Sequence, residues 1–140
     1  MVTKIYPIVV ELLLTPVGRP KSRISLGDYH KESTIDKPQW EKIVYQGCGS
    51  NRLTVEHYDK SDNDPTTALI ISEVKFNDIS NPKFVYQGNY YPLYPRHLSG
   101  SAAVLPHQNY LSWNGVWQLD FTLPIYTWIH KTLDLGWIYD

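Results

Sequence analysis

The densest run of oxygen-bearing side chains is YDKSDNDP, residues 58–65, in which Asp59, Asp62, Asn63 and Asp64 crowd together. Two kinds of chemistry suit such a run. Hard oxygen ligands at short spacing fit calcium, whose coordination tolerates irregular loops, so Asp59, Asp62 and Asp64 are the candidate metal ligands and calcium the candidate ion. Asp and Asn equally close turns, because they bond their own backbone and tolerate left-handed angles. The run lacks the glycine and the twelfth-position glutamate of an EF-hand.

Aromatic residues supply the second candidate chemistry. In QGNYYPLYPRH, Tyr90, Tyr91 and Tyr94 stand beside Pro92 and Pro95, and prolines hold such rings rigid at small entropic cost. These tyrosines either form a surface that stacks on sugar rings or packs on a protein, or they plug the open end of a sandwich. Trp113 and Trp128 join them as candidates for carbohydrate binding or an interface, because a ring with one polar edge suits a contact that is part wet and part apolar.

Catalytic signatures are missing. The chain has no G-x-S-x-G elbow, no phosphate-cradling glycine loop and no H-E-x-x-H. Cys48 is the single cysteine, which excludes an intramolecular disulfide and a cysteine-rich zinc site. Histidines 30, 57, 97, 107 and 130 are too scattered for a metal motif, and His57, in phase with Leu53 and Val55, is expected inside with a hydrogen-bond partner. The expectation is a non-enzymatic protein.

The elements that must position these residues are strands. Apolar alternation and Pro/Gly punctuation place them at Ile5 to Leu14, Arg23 to Leu26, Trp40 to Gln46, Arg52 to Tyr58, Ala68 to Phe76 and Phe84 to Gln87. Asn114-Gly115, a pair that accepts type I′ angles, predicts a hairpin between Tyr110 to Trp113 and Val116 to Leu123. In the second arm Trp117, Leu119, Phe121 and Leu123 share one face, so Trp117 is expected in the core. Pro124 breaks the ladder, and Ile125 to His130 and Leu133 to Tyr139 read as two further strands, with no helix anywhere. The long irregular piece Pro95 to Gln108 is a surface loop that lies against something. One face of the first strand, Tyr6, Ile8, Val10, Leu12 and Leu14, is apolar and the other, Ile5, Pro7, Val9, Glu11 and Leu13, is largely so; a second covering is therefore expected, from this chain or from a neighbouring subunit.

At 140 residues and 42% hydrophobic composition the chain suits one domain, residues 1–140, built as an all-β antiparallel β-sandwich or jelly roll. Thirteen basic residues nearly cancel fourteen acidic ones, which excludes a dedicated nucleic-acid binder. The opening MVTKIYPIVVELLLTPVGRP is neither a membrane helix nor an export signal: Glu11 interrupts it, and Pro7 and Pro16 bracket a strand.

Ser50 to Ile79 resembles the adjacent strand pair of calcium-dependent carbohydrate-binding modules of the xylan-binding kind: an alternating strand, an acidic loop, then a strand ending in a turn. The resemblance covers about a fifth of the chain. It implies a β-sandwich and a loop that binds calcium and sugar hydroxyls. The sequence departs from that pattern at Thr67-Ala68, where such modules carry a charged and an amide residue.

Without an export segment, a glycan-contacting protein of this kind is expected to meet its glycan on a particle released by lysis. The expected role is a bacteriophage virion component, a capsid decoration or a tail or fibre protein, made in the host cytoplasm, with copies of itself, other virion proteins or a glycan as partners. The alternative is a free-standing monomeric glycan-binding module.

Overall fold

The computed structural model describes residues 4–61, 63–64, 66–93 and 104–133. Two antiparallel sheets face each other. Sheet A takes β1 (Tyr6–Val17), β4 (Gln39–Gly47), β6 (Ala68–Phe76), β7 (Ile79–Ser80) and β10 (Tyr110–Leu111), in the order β10-β6-β1-β4 with β7 beside β6. Sheet B runs β3-β2-β5-β11-β8-β9, formed by β3 (Tyr29–Thr34), β2 (Lys21–Leu26), β5 (Gly49–Tyr58), β11 (Gly115–Leu123), β8 (Asn89–Pro92) and β9 (Leu105–Pro106). The β-sandwich expected from alternation is the observed architecture.

Period-2 patterning builds the shared core. Ile8, Val10, Leu12 and Leu14 of β1 face Leu53 and Val55 of β5 and Trp117, Leu119 and Phe121 of β11, all buried. Trp117 is fully buried and packs so closely on the backbone of Gly88 that a Cβ there would lie 2.2 Å from its indole nitrogen. Gly88 is therefore set by close approach, since its φ of −80° suits any residue.

At the edge between the sheets, the buried carboxylate of Glu41 on β4 accepts from Lys31 of β3 at 2.6 Å and from Gln39 at 2.5 Å. An inward charge on an edge strand, neutralised from the opposite sheet, closes that side without apolar contact.

Three expectations are corrected. Residues 125–130 are not a strand but belong to the helix α1 (Ile125–Thr132), opened by Pro124, with Ile125 and Ile129 buried one turn apart. Leu133 caps that helix, and residues 134–139 lie outside the described ones. Phe84 to Gln87 form a 3₁₀ turn at Val85–Gln87, whose Gln87 N–H donates to the Phe84 carbonyl at 3.1 Å. The Asn114-Gly115 hairpin does not form either: β10 pairs with β6 in sheet A, and β11 pairs with β5 and β8 in sheet B. Gly115 is needed because its backbone meets the Tyr91 carbonyl, 2.4 Å from where a Cβ would stand. Tight-turn angles fall instead on Asn77 and Asp78, with φ of 50° and 67°, between β6 and β7.

The outward side chains Val9, Glu11 and Leu13 of β1 are half-buried, with no second layer of backbone over them among the described residues. Val9 pairs with Val44, which is 72% exposed, and Leu13 pairs with Trp40, 43% exposed, whose ring lies 4.6 Å under the Lys75 ammonium.

Truncating Trp117 to Ala should cost about 3–5 kcal/mol, as for other large buried aromatics. Gly88→Ala should cost about 1–3 kcal/mol because the added methyl has no room beside the indole. Urea titration of both variants checks this; a Gly88→Ala midpoint equal to the parent's would show that the contact is loose.

Candidate functional site

Among the described residues, a concavity lies at the end of the sandwich where β5 begins and β11 finishes. Register places Ser50 opposite Thr122, Asn51 opposite Phe121 and Arg52 opposite Asp120. With Trp128 of α1 these residues line an open cavity of about 330 Å³, within the range of small-molecule sites of about 300–1,000 Å³.

Each wall has a structural reason. Trp128 is held edge-on against Phe76, with ring centroids 5.3 Å apart, and also touches Phe84 and Phe121, so its orientation is fixed while one side faces the cavity. Arg52 and Asp120 form a two-point pair on the outer face of sheet B, Nε to Oδ1 at 2.8 Å and a terminal nitrogen to Oδ2 at 3.2 Å. Their side chains are 59% and 62% exposed. Asn51 accepts from the Tyr45 hydroxyl at 2.9 Å and donates to the Gly49 carbonyl at 2.9 Å, which fixes its amide and leaves a second N–H. Ser50 and Thr122 add two hydroxyls. An aromatic wall beside fixed donors and acceptors can take an apolar ring face and its hydroxyl rim together.

Tyr91 extends this surface. It is exposed on β8 opposite Val116, on the same outer face of sheet B as Gln118 and Asp120. Its neighbour Tyr90 points the other way, fully buried, and its hydroxyl donates to the Trp113 carbonyl and accepts from the Trp113 N–H at 3.0 Å. Tyr90 is thus a core residue and presents no ring to a ligand. Tyr94 lies outside the described residues. Trp113 is half-buried at the opposite end of the sandwich from the cavity, with its face taken by the Lys60 ammonium at 4.2 Å. Of the four aromatic candidates among the described residues, Trp128 and Tyr91 lie on or beside the cavity face.

The acidic loop links β5 to β6. Asp59 is paired with Lys21 at 2.6 Å, and Lys21 holds it below the usual carboxylate range. Asp64 accepts from the Thr67 hydroxyl and from the Thr66 and Thr67 N–H groups at 2.9 and 3.0 Å, bonds that hold its carboxyl well below the usual range. This is a turn closed by its own aspartate. Asp62 lies outside the described residues. No group of three His, Cys, Asp or Glu that could hold a metal occurs among the described residues; both Asp64 oxygens and one Asp59 oxygen already accept hydrogen bonds, so these two carboxylates alone do not make a calcium cage.

His57, fully buried below this loop, has Nδ1 3.0 Å from the Leu111 carbonyl, while Nε2 has no hydrogen-bond partner among the described residues. Sharing a proton with that carbonyl requires Nδ1–H, so the neutral ring donates there. Burial pushes its pKa below the ordinary 6.5; nearby Lys60 adds to this, while the Leu111 and Trp113 backbones and Asp64 oppose it.

No protein-family model and no curated relative matches the chain. Among solved structures it is similar to vCBM60, described among two families of calcium-dependent carbohydrate-binding modules linked by circular permutation. The selenomethionine form matches at 9% identity over 80% of this chain and 89% of that one, with a TM-score of 0.53. The complex with galactobiose matches at 10% identity over 79% and 96%, also at 0.53. At such identity the likeness is one of fold.

The buried ring gives a pH prediction. A His whose folded pKa is depressed contributes stability that is whole above its unfolded pKa and is lost as the pH falls, because the unfolded chain takes up the proton more readily. Melting temperature should therefore drop as the pH falls below about 6.5. In His57→Gln that dependence should flatten, and an equal slope in both proteins would assign it to other groups.

Proposed function

We propose that this chain is a non-catalytic glycan-binding module whose contact surface is the cavity of Trp128, Asn51, Arg52, Asp120 and the Ser50 and Thr122 hydroxyls, extended along sheet B towards Tyr91. The observation that carries the reading is the cavity itself: a tryptophan fixed by three phenylalanines stands beside an exposed, two-point Arg–Asp pair. Sugars present an apolar ring face to aromatic groups and hydroxyls to planar charged ones, so both faces of such a ligand find partners. The similarity in fold to a module crystallised with galactobiose supports the class of ligand.

Binding here needs no proton transfer. Arg52 and Asp120 neutralise each other, so the site favours neutral hydroxylated ligands over strongly charged ones. Ligand hydroxyls would accept from Arg52 and Asn51 and donate to Asp120 while the ring lies on Trp128.

Retention on insoluble polysaccharides, followed by calorimetry with soluble oligosaccharides and galactobiose as the first probe, tests this. Because Arg52 and Asp120 are more than half exposed, Arg52→Ala and Asp120→Ala should melt within about 1 kcal/mol of the parent. Each should weaken binding by about tenfold or more, the value of one lost charge-assisted hydrogen bond. Parental affinity in both variants, or no retention on any glycan, would remove the reading.

A second reading rests on a separate observation, the exposed Val44 and Trp40 beside half-buried Val9 and Leu13 on the outer face of sheet A, with Glu11 and Lys42 between the two pairs. It is that of an assembling structural component, and the virion setting expected from the sequence belongs with it. Sedimentation velocity decides: self-association abolished by Val44→Lys supports it, and a monomer at all concentrations removes it.

A further inference from the structure

We propose that the Lys60 ammonium is this chain's own cation for the β5–β6 loop, doing there what a divalent ion does in an ion-dependent module, so that the loop closes without calcium. The loop carries the chain from sheet B to sheet A, and the segment between β10 and β11 carries it back at the same end of the sandwich. Lys60 joins the two crossings. Its Nζ donates to the Thr67 carbonyl on one crossing at 2.7 Å and to the Ser112 carbonyl on the other at 2.6 Å. The same ammonium lies 4.2 Å from the centre of the Trp113 ring.

Two converging backbone carbonyls are hard oxygen donors of the kind calcium takes. Here they are filled by a group with three donors and no acceptor, which can satisfy both while its stem remains attached to the loop. A divalent ion competing for these carbonyls would meet a fixed positive charge, and the Asp64 and Asp59 carboxylates already hold Thr66, Thr67 and Lys21. The main chain of Lys60 is pinned as well. Its N–H donates to Asn114 Oδ1 at 2.8 Å and its carbonyl accepts from Asn114 Nδ2 at 2.9 Å, so the side chain starts from a fixed point. Ring face and two carbonyls hold the ammonium, and the Asn114 amide fixes the main chain from which it extends. The similar structure is described among calcium-dependent modules, whereas the cation proposed for this loop is a lysine ammonium.

Thermal melts of metal-stripped full-length protein test the proposal and need no glycan, so their failure is separate from failure of the glycan reading. The parent should melt at the same temperature, within a degree, in chelator and in millimolar calcium. Lys60→Met keeps a stem over Trp113 but removes the charge, and should lower the melting temperature by about 5–10 °C. Lys60→Arg restores a cationic donor and should recover most of that loss; if Lys60→Met cannot be obtained folded, the arginine variant and the parent's calcium response decide the matter. A parent stabilised by calcium or destabilised by chelator overturns the proposal. So does a Lys60→Met protein that melts with the parent, or an arginine variant no better than the methionine one.

Discussion

Two chain crossings at one end of the sandwich must be held in register, and the pairing of Lys60 with Asn114 is the interaction that does so. The side-chain amide of Asn114 bonds both the N–H and the carbonyl of Lys60 at 2.8 and 2.9 Å, which reproduces a two-point backbone ladder between segments that belong to no sheet. With that point fixed, β11 enters sheet B next to β5 and opposite Tyr91 and Pro92. Everything on β11 inherits the phase: Trp117 falls on Gly88, Phe121 reaches Phe76 and Trp128, and Asp120 meets Arg52. A one-residue slip would send all of these to the wrong face.

The two ends of the molecule thereby take different tasks. At the crossing end, the acidic loop is held by its own threonines and by Lys21, and the Lys60 ammonium by carbonyls. At the other end, α1 packs Ile125 and Ile129 into the core and leaves Trp128 with one side against phenylalanines and one on the cavity. Saturated groups have nothing left to offer a ligand, whereas the cavity retains donors, acceptors and a ring face. This asymmetry separates a structural polar cluster from a binding one, although both contain tryptophan and aspartate.

How much was legible in the sequence depended on whether a signal was local. The alternation of β1 and β11 carries its own phase, so the core positions of Ile8 to Leu14 and Trp117 to Leu123 could be read directly. Tyr90 and Tyr91 carried a usable signal too, since adjacent strand residues point to opposite faces and only one of them could be outside. Helix α1 is ambiguous by nature: Ile125, Thr127 and Ile129 alternate as in a strand, while Ile125 and Ile129 alone fit one helical turn, and the burial of those two decided it. β3, largely exposed and polar, has no apolar stripe to read, as is common for edge strands. The cavity was invisible because Arg52 and Asp120 look like ordinary wet-face residues until register sets them opposite each other, 68 positions apart in the chain. Lys60 was hidden for a deeper reason: its partners are backbone carbonyls, and every residue has one.

The Arg52–Asp120 pair bears on why the cavity face suits a ligand at all. Both side chains are more than half exposed, and exposed pairs contribute at most about 1 kcal/mol to a fold. Stability alone therefore does not require a two-point pair at that register. Arranged this way, however, the guanidinium and carboxylate are joined by two hydrogen bonds at the mouth of a cavity, which restricts in advance side-chain freedom that a ligand would otherwise have to freeze. A ligand with adjacent hydroxyls can bond the outward-facing donors and lone pairs that the pair leaves unused, without separating the charges. Fixed orientation and weak mutual dependence distinguish this pair from Lys31–Glu41, whose carboxylate is buried to 2% exposure and has no spare surface to give.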